Sequence, residues 1–172
     1  MGFDHDTRSI FQRQIEFIQK SGIVTAMVGL LQAPAGTKLY KRLKKEGRLA
    51  GHFSGNNVDG TTNIIPKMDL DELCEGYRTI IRHIYSPKLY YQRVKTFLRE
   101  YKATVINNPL DFQRFLALFR SSVRLGIFGK ERLQYWKILV WTLFRRPGLF
   151  PLAITLAIYG HHFRKICDLH IL

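Results

Sequence analysis

The chain has 172 residues, of which 46% are hydrophobic, and carries a formal net charge of +14. This length fits one domain, or a fragment followed by one domain. The two cysteines, Cys74 and Cys167, stand far apart, which excludes a disulfide framework and a cysteine-rich metal site and favours a reducing, cytoplasmic setting. Residues 87–172 hold +11 of the net charge. They predict either an anionic partner or a basic surface without a dedicated one.

The N-terminal part predicts a helix, a strand and a second helix. Apolar residues at helical spacing predict a first helix over residues 7–21, with Asp6 or Thr7 as its N-cap. The run Ile23–Leu31 is almost continuously apolar, which is typical of a parallel strand covered on both faces. Because such a strand needs neighbours for its backbone polar groups, we expect the rest of its sheet to lie upstream.

The remainder of the chain predicts helices almost throughout. After a turn at residues 34–37 a helix is expected over 37–46, and the Gly- and Asn-rich residues 51–63 predict a long loop. Five further helices are predicted, over residues 69–85, 88–101, 107–124, 130–144 and 150–165. We therefore expect a mainly α protein: a helical C-terminal domain preceded by a short α-β-α segment.

Several short motifs occur in a specific order. Gly-Phe-Asp-His-Asp-Thr stands at residues 2–7, Leu-Leu-Gln-Ala-Pro-Ala-Gly-Thr-Lys-Leu-Tyr at 30–40 and Lys-Lys-Glu-Gly-Arg-Leu at 44–49, followed by segments at 55–57, 63–68, 84–87 and 90–93. Together they resemble the C-terminal part of radical S-adenosylmethionine (SAM) proteins that carry a cobalamin (B12)-binding domain. Ala35 is a mild departure from the family's turn after the sixth barrel strand.

The resemblance implies that residues 1–50 are the C-terminal fragment of a TIM-like α/β radical SAM barrel, 51–68 a loop or linker, and 69–172 a helical accessory domain. For the full-length protein it implies SAM, a [4Fe–4S] cluster and cobalamin, and an Fe–S oxidoreductase or methyltransferase-like activity. The cluster would need three cysteines spaced CxxxCxxC, which this chain lacks. We therefore expect the chain alone to hold no cofactor and to be inactive, with the missing N-terminal barrel and B12 domain as its partners.

Candidate site residues stand after the predicted strands, where the loops of α/β barrels carry the chemistry. The resemblance implies that one group of residues lies near SAM or substrate: Gln32, Pro34, Gly36 and Thr37. Gly36 would let the backbone pass closely. Asp4 and Asp6 are expected to line the barrel mouth. The alternatives are structural, namely a simple strand-to-helix turn at 32–37 and helix capping by the two aspartates.

The C-terminal segment contains a group of potential metal ligands: His161, His162, Cys167 and His170. Their spacing does not place them on one helical face, and it favours core or surface side chains over a metal site. We expect no metal site in this chain.

The apolar run at 149–159 is shorter than the ~20 residues that span a bilayer. It predicts either a buried helical hairpin or a helix at an anionic membrane surface, because Arg145, Arg146, Arg164 and Lys165 flank it. The alternative function is therefore a basic binding module for a membrane surface or nucleic acid, and the localisation cytoplasmic or membrane-peripheral. Nucleic acid is disfavoured because the basic and aromatic residues of 90–99 spread around a helix.

The predicted strand would leave unpaired edges if it stood alone. We expect a homodimer that pairs residues 23–31 or 1–4 across chains. The alternative is that the segment refolds as helix or coil against the C-terminal helices.

Overall fold

The computed structural model describes residues 1–56, 59–102 and 112–170. Within them the chain forms seven α-helices: α1 Ser9–Ser21, α2 Lys38–Lys45, α3 Leu70–Ile84, α4 Pro87–Glu100, α5 Phe112–Ser121, α6 Arg132–Arg145 and α7 Phe150–His170. A π-helical stretch, Ser122–Ile127, follows α5, and a 3₁₀ turn, Pro147–Leu149, precedes α7. The prediction of a mainly helical protein is confirmed. The helix start predicted at 107–109 lies outside the described residues.

The chain divides into two compact units. The first comprises residues 1–17, 26–83 and 166–172, and the second comprises 18–25 and 84–165. Helices α1 and α7 therefore contribute residues to both units. The division at 51–68 inferred from the resemblance stays a prediction.

The helix ends follow from local sequence. The Thr37 hydroxyl accepts a hydrogen bond from the Tyr40 amide (3.1 Å) at the start of α2. At the start of α3 the Asp69 carboxylate accepts one from the Glu72 amide (3.0 Å). These are N-cap bonds, which satisfy amides that the first helical turn leaves without intrahelical partners. Gly47, just after α2, has a φ of 68°, the left-handed conformation in which helices commonly end.

The segment 23–31 forms no regular strand and has a bend at residues 24–25. Its even-numbered residues Val24, Val28 and Leu30 are buried, whereas Ile23 and Met27 are 39% and 73% exposed. The expectation that the segment is covered on both faces is therefore wrong. It has the alternating burial of a chain with one covered face.

The backbone of this segment pairs with the N-terminus of the chain. The Met1 amino group donates to the Gly29 carbonyl (3.0 Å), and the Leu31 amide donates to the Met1 carbonyl (2.7 Å). One residue bonded to positions i−1 and i+1 of its neighbour is the pattern of a parallel ladder. Met1 thus pairs in the parallel sense with residues 29–31.

The first unit packs a small apolar cluster beneath this pairing. Ala33, Leu43 and Ile64 are its buried centre, with Leu39 and Leu49 packed against them. The cluster joins the segment before α2 to that helix and to the segment after residue 60. Residues 48–50 and 63–65 are held together by backbone hydrogen bonds around an antiparallel bridge.

In the second unit Arg93 of α4 is fully buried. Its guanidinium donates to the Ile23 carbonyl (3.0 Å), the Ile84 carbonyl (2.5 Å) and the Gln19 side chain (3.0 Å). Burial lowers the pKa of this guanidinium, since it disfavours the charged form. Arg93 thereby ties residues 19–23 to the end of α3 through backbone carbonyls.

Helix α7 packs closely on α4 in the second unit. Tyr90 is fully buried and its hydroxyl donates to the Leu156 carbonyl (2.7 Å). A Cβ added at Gly160 would overlap the Tyr90 ring. Gly160 therefore allows the close approach of the two helices.

We expect Gly160→Ala to lower the free energy of unfolding by about 2 kcal/mol, because the overpacking cost exceeds the helix-propensity gain of alanine. Urea unfolding followed by circular dichroism measures this. Gly148→Ala is the matched control, since nothing lies within 4 Å of a Cβ there, and it should leave the midpoint nearly unchanged. Equal effects of the two changes would contradict the packing argument.

Candidate functional site

The turn at residues 34–37 connects the 23–31 segment to α2. The Pro34 carbonyl accepts hydrogen bonds from the Thr37 amide (3.3 Å) and hydroxyl (2.8 Å). Gly36 has a φ of 86°, a value that favours glycine. No atom lies within 4 Å of a Cβ built on Gly36. The glycine is thus needed for its backbone conformation, and no chain segment of the structure approaches it closely.

Gln32 holds a neighbouring loop. Its side-chain nitrogen lies within hydrogen-bond distance of the Ser54 hydroxyl (3.0 Å) and the carbonyls of Asn56 and Thr61 (both 3.2 Å). The Asp59 carboxylate in turn accepts from the Thr61 amide (2.9 Å) and hydroxyl (2.7 Å). The Gln32 side chain therefore holds Ser54, Asn56 and Thr61 close to the segment that precedes α2.

Asn63 is the most buried polar residue near these loops, with 3% exposure. Its side-chain oxygen accepts a hydrogen bond from the Ala33 amide (2.7 Å), and its side-chain nitrogen donates to the Ala33 carbonyl (2.9 Å). Ala33 itself is fully buried, so water cannot replace either bond. One side-chain amide thus satisfies both backbone groups of Ala33, as a neighbouring strand would.

Asp4 forms ion pairs with two arginines. Arg42 of α2 and Arg48 each place a guanidinium nitrogen 2.9 Å from one of its oxygens. The ion pair with Arg48, followed by the charge of Arg42, holds the pKa of the Asp4 carboxyl below its usual value. Arg48 also donates to the Ile65 carbonyl (2.9 Å). Asp4 therefore connects the N-terminal segment to α2 and to the 48–65 pairing.

Asp6 folds back on the N-terminal segment. One of its carboxylate oxygens accepts hydrogen bonds from the amides of Gly2 (2.9 Å) and Phe3 (3.0 Å). Helix α1 begins at Ser9, and neither Asp6 nor Thr7 caps it through a side chain bonded to the helix backbone in the described contacts. The prediction that Asp6 or Thr7 caps α1 is wrong. The Asp6 side chain instead accepts hydrogen bonds from amides that precede it in the chain.

The structure gives the predicted site residues different partners. Met1 pairs in parallel with residues 29–31, but Asp4 contacts Arg42 and Arg48 whereas Gln32 contacts the 54–61 region. Sequence reasoning did not select Asn63, Arg42 or Arg48. For two of them the sequence held an indication, because Asn63 and Arg48 stand inside the quoted motifs and beside apolar residues.

A cleft of about 360 Å³ lies in the same unit, lined by Ala50, Thr62 and residues 64–70. Its lining is largely apolar, with Lys67 and Asp69 as the charged groups. None of the six candidate residues lines it. The cleft is thus a separate feature from the 32–37 loop.

The histidines and cysteines are dispersed. Among the described residues no group of three His, Cys, Asp or Glu side chains could hold a metal ion. His161 lies 3.0 Å from buried Glu131, which also pairs with Arg164 (2.7 Å). Cys74 and Cys167 form no disulfide, and burial raises the pKa of the Cys74 thiol.

An iron–sulfur cluster of the [4Fe–4S] type does not fit this chain. Such clusters are held by cysteine thiolates, at least three for the radical SAM type, and the sequence contains two cysteines in all. Burial also disfavours the thiolate form of Cys74. The two cysteines of this chain therefore cannot hold such a cluster.

Residues 37–171 match the protein family described as "Domain of unknown function (DUF4070)". An "Uncharacterized methyltransferase sll1242" of Synechocystis sp. is 27% identical over 168 residues, which cover 95% of this chain and 31% of that protein. A "Hopanoid C-2 methylase" of Rhodopseudomonas palustris is 24% identical over 170 residues, 94% of this chain and 31% of that protein. The chain thus spans less than a third of these relatives. No solved structure matches it.

We expect Asn63→Ala to lower the free energy of unfolding by about 3 kcal/mol, since it leaves the buried amide and carbonyl of Ala33 without partners. Chemical denaturation provides the measurement. Gln32→Ala is the control: its bonds are solvent-exposed, water can replace them, and the loss should stay under about 1 kcal/mol. A larger loss from Gln32→Ala than from Asn63→Ala would contradict this assignment.

Asp4→Asn should make the protein less stable at neutral pH and have little effect in acid. The pKa of the Asp4 carboxyl is lower in the folded state, so its contribution is full above the unfolded value of about 3.9. It is lost as the pH falls through the folded value. Thermal unfolding of both proteins between neutral and acidic pH tests this.

The control for Asp4→Asn is Glu75→Gln, because Glu75 forms only exposed ion pairs with Arg78 (3.5 Å) and Arg82 (3.2 Å). Exposed pairs contribute little to stability. If the difference between wild type and Asp4→Asn stayed constant with pH, the proposed ion pairs would not be the source of the effect.

Proposed function

We propose, since this chain belongs to the DUF4070 family, that it is the C-terminal accessory part of a methyltransferase-like radical SAM enzyme of the cobalamin-dependent type. The observation that carries the proposal is the parallel pairing of Met1 with residues 29–31, after which both segments continue into polar residues, Asp4 and Asp6 in one and Gln32 to Thr37 in the other. Loops at the edge where parallel strands end form the active site of α/β barrels. The relatives named as methyltransferase and methylase agree with this class of enzyme.

In this proposal the chain completes and supports the barrel mouth. The 35–37 backbone is exposed and stands where SAM or substrate would approach. Gln32 positions the 54–61 loop beside it, and Asp4 with its two arginines fixes the edge. In this proposal these residues bind and orient SAM or substrate.

The missing chemistry belongs to other segments of the complete protein. SAM, a [4Fe–4S] cluster and cobalamin would together supply methyl transfer to an unactivated carbon, and the N-terminal barrel and B12 domain would hold them. The Rhodopseudomonas relative is named for methylating a hopanoid at C-2, and a hopanoid is therefore one acceptor to test. The proposed location is the cytoplasm.

The first test is the DNA upstream of the Met1 codon. The proposal expects an open reading frame that continues upstream and encodes CxxxCxxC, or a neighbouring gene that encodes it. If neither the upstream reading frame nor a neighbouring gene encoded CxxxCxxC, the proposal would be contradicted.

We expect the 172-residue chain alone to take up no stoichiometric [4Fe–4S] cluster and to cleave no SAM, because two separated cysteines cannot supply three thiolates. Anaerobic reconstitution with absorbance and 5′-deoxyadenosine assays measures both. The positive control is the longer polypeptide with the CxxxCxxC segment. Stoichiometric cluster absorbance in the short chain would refute the expectation.

A further inference from the structure

Helix α6 is apolar on two opposite faces, only one of which is covered. Its buried face consists of Tyr135, Ile138, Leu139 and Thr142. The other apolar residues are 45% to 79% exposed: Leu133, Trp136, Val140, Leu143 and Phe144. At 100° per residue these five fall within an arc of about 100° that points away from the buried face. We call this set the outer α6 face.

The apolar surface continues into the residues before α6. Ile127 and Phe128 are 56% and 82% exposed. The Trp136 ring nitrogen donates to the Gly126 carbonyl (3.1 Å), which holds this stretch beside the outer α6 face. The polar atom of the indole is thus satisfied, while its ring stays half exposed.

Among the described residues, the exposed charged side chains that stand at the flanks and ends of this face are basic. Arg132 and Lys137 flank it on opposite sides of the helix by their register, and Lys130 and Arg145 stand near its ends; all four are exposed. The acidic residue of this region, Glu131, is 3% exposed and pairs with Arg164 and His161. An approaching anionic surface would therefore meet attraction along the whole face.

We propose that the outer α6 face docks onto an anionic lipid bilayer, with α6 lying in the plane of the interface. An apolar arc flanked by Lys and Arg and containing a tryptophan is typical of helices that bind at the headgroup boundary. Protein interface cores are instead depleted of lysine. No helix within the described residues is long and apolar enough to cross a membrane.

The exposed apolar surface lies on α6 and not on the 149–159 run that the sequence suggested for membrane contact. In the 149–159 run Leu149, Ala153, Ile154, Leu156 and Ala157 are buried, which leaves little of it to meet lipid. All residues of the outer α6 face belong to the second unit. The proposal is therefore independent of the enzyme class proposed above and of the 32–37 loop.

The experiment is co-sedimentation of the 172-residue chain with vesicles. One set is phosphatidylcholine alone, and the other contains about a third phosphatidylglycerol as the anionic lipid. We expect binding to the anionic vesicles that weakens with added salt. Leu133→Gln with Phe144→Gln should weaken it at least about tenfold, since two large apolar side chains no longer enter the interface. Arg132→Glu with Lys137→Glu should weaken it by about twentyfold or more.

Matched controls separate this face from general charge and hydrophobicity. Phe17→Gln with Met27→Gln changes two apolar residues of similar exposure elsewhere. Lys41→Glu with Lys44→Glu makes the same change in net charge on exposed positions of α2. Both double variants should bind almost as wild type. Circular dichroism of each variant confirms that it is folded before its binding is compared.

Three results would overturn the proposal. The first is no binding to anionic vesicles. The second is equal loss in the α6 and α2 charge variants, which would show binding by net charge alone. The third is a chain that ignores vesicles but changes from an oligomer to a monomer in Leu133→Gln with Phe144→Gln, which would assign the face to a protein contact.

Discussion

The backbone hydrogen bonds of an apolar segment are the constraint on which the first unit depends. Residues 28–33 bury side chains at Val28, Leu30 and Ala33, and a buried backbone must find partners for its polar groups. Met1 supplies two of them, and the Thr62 hydroxyl donates to the Leu31 carbonyl (2.6 Å). Asn63 supplies two more at Ala33. Met1 and the side chains of Thr62 and Asn63 thus take the place of a regular ladder.

The same bonds set the direction of the chain toward the candidate residues. Because Met1 pairs in parallel with the 29–31 stretch, the chain continues in the same direction toward Asp4 from the one segment and toward Gln32 and Gly36 from the other. The Gln32 contacts are at the exposed surface, where each contributes little to stability, whereas the side chains of Asp4 and Arg48 are only 14% and 16% exposed at their ion pair. Both sets of contacts orient loops, and the buried Asn63 amide carries more of the energy than the Gln32 contacts.

In the second unit a buried charged side chain bonds backbone carbonyls in a similar way. Arg93 is buried without a described carboxylate partner and satisfies its guanidinium on two carbonyls and an amide oxygen. Such a group is costly to desolvate, and burial accordingly lowers its pKa. Removal of its acceptors would leave a buried charge unpaired. The 19–23 connection is therefore fixed in position in this unit.

The sequence by itself determined the helices, because their signals are local: the caps Thr37 and Asp69 and the stop at Gly47 act within one turn. It also placed the polar candidates Asp4 and Gln32 next to apolar segments. Only the tertiary structure decided that Met27 faces outward, that Asp6 bonds backwards, and that Asn63 serves Ala33 thirty residues away. The physical reason is that the sequence pattern shows which residues are apolar but does not show which of them are covered in the folded chain. Which of two apolar faces is covered, as on α6, depends on the neighbours that packing supplies.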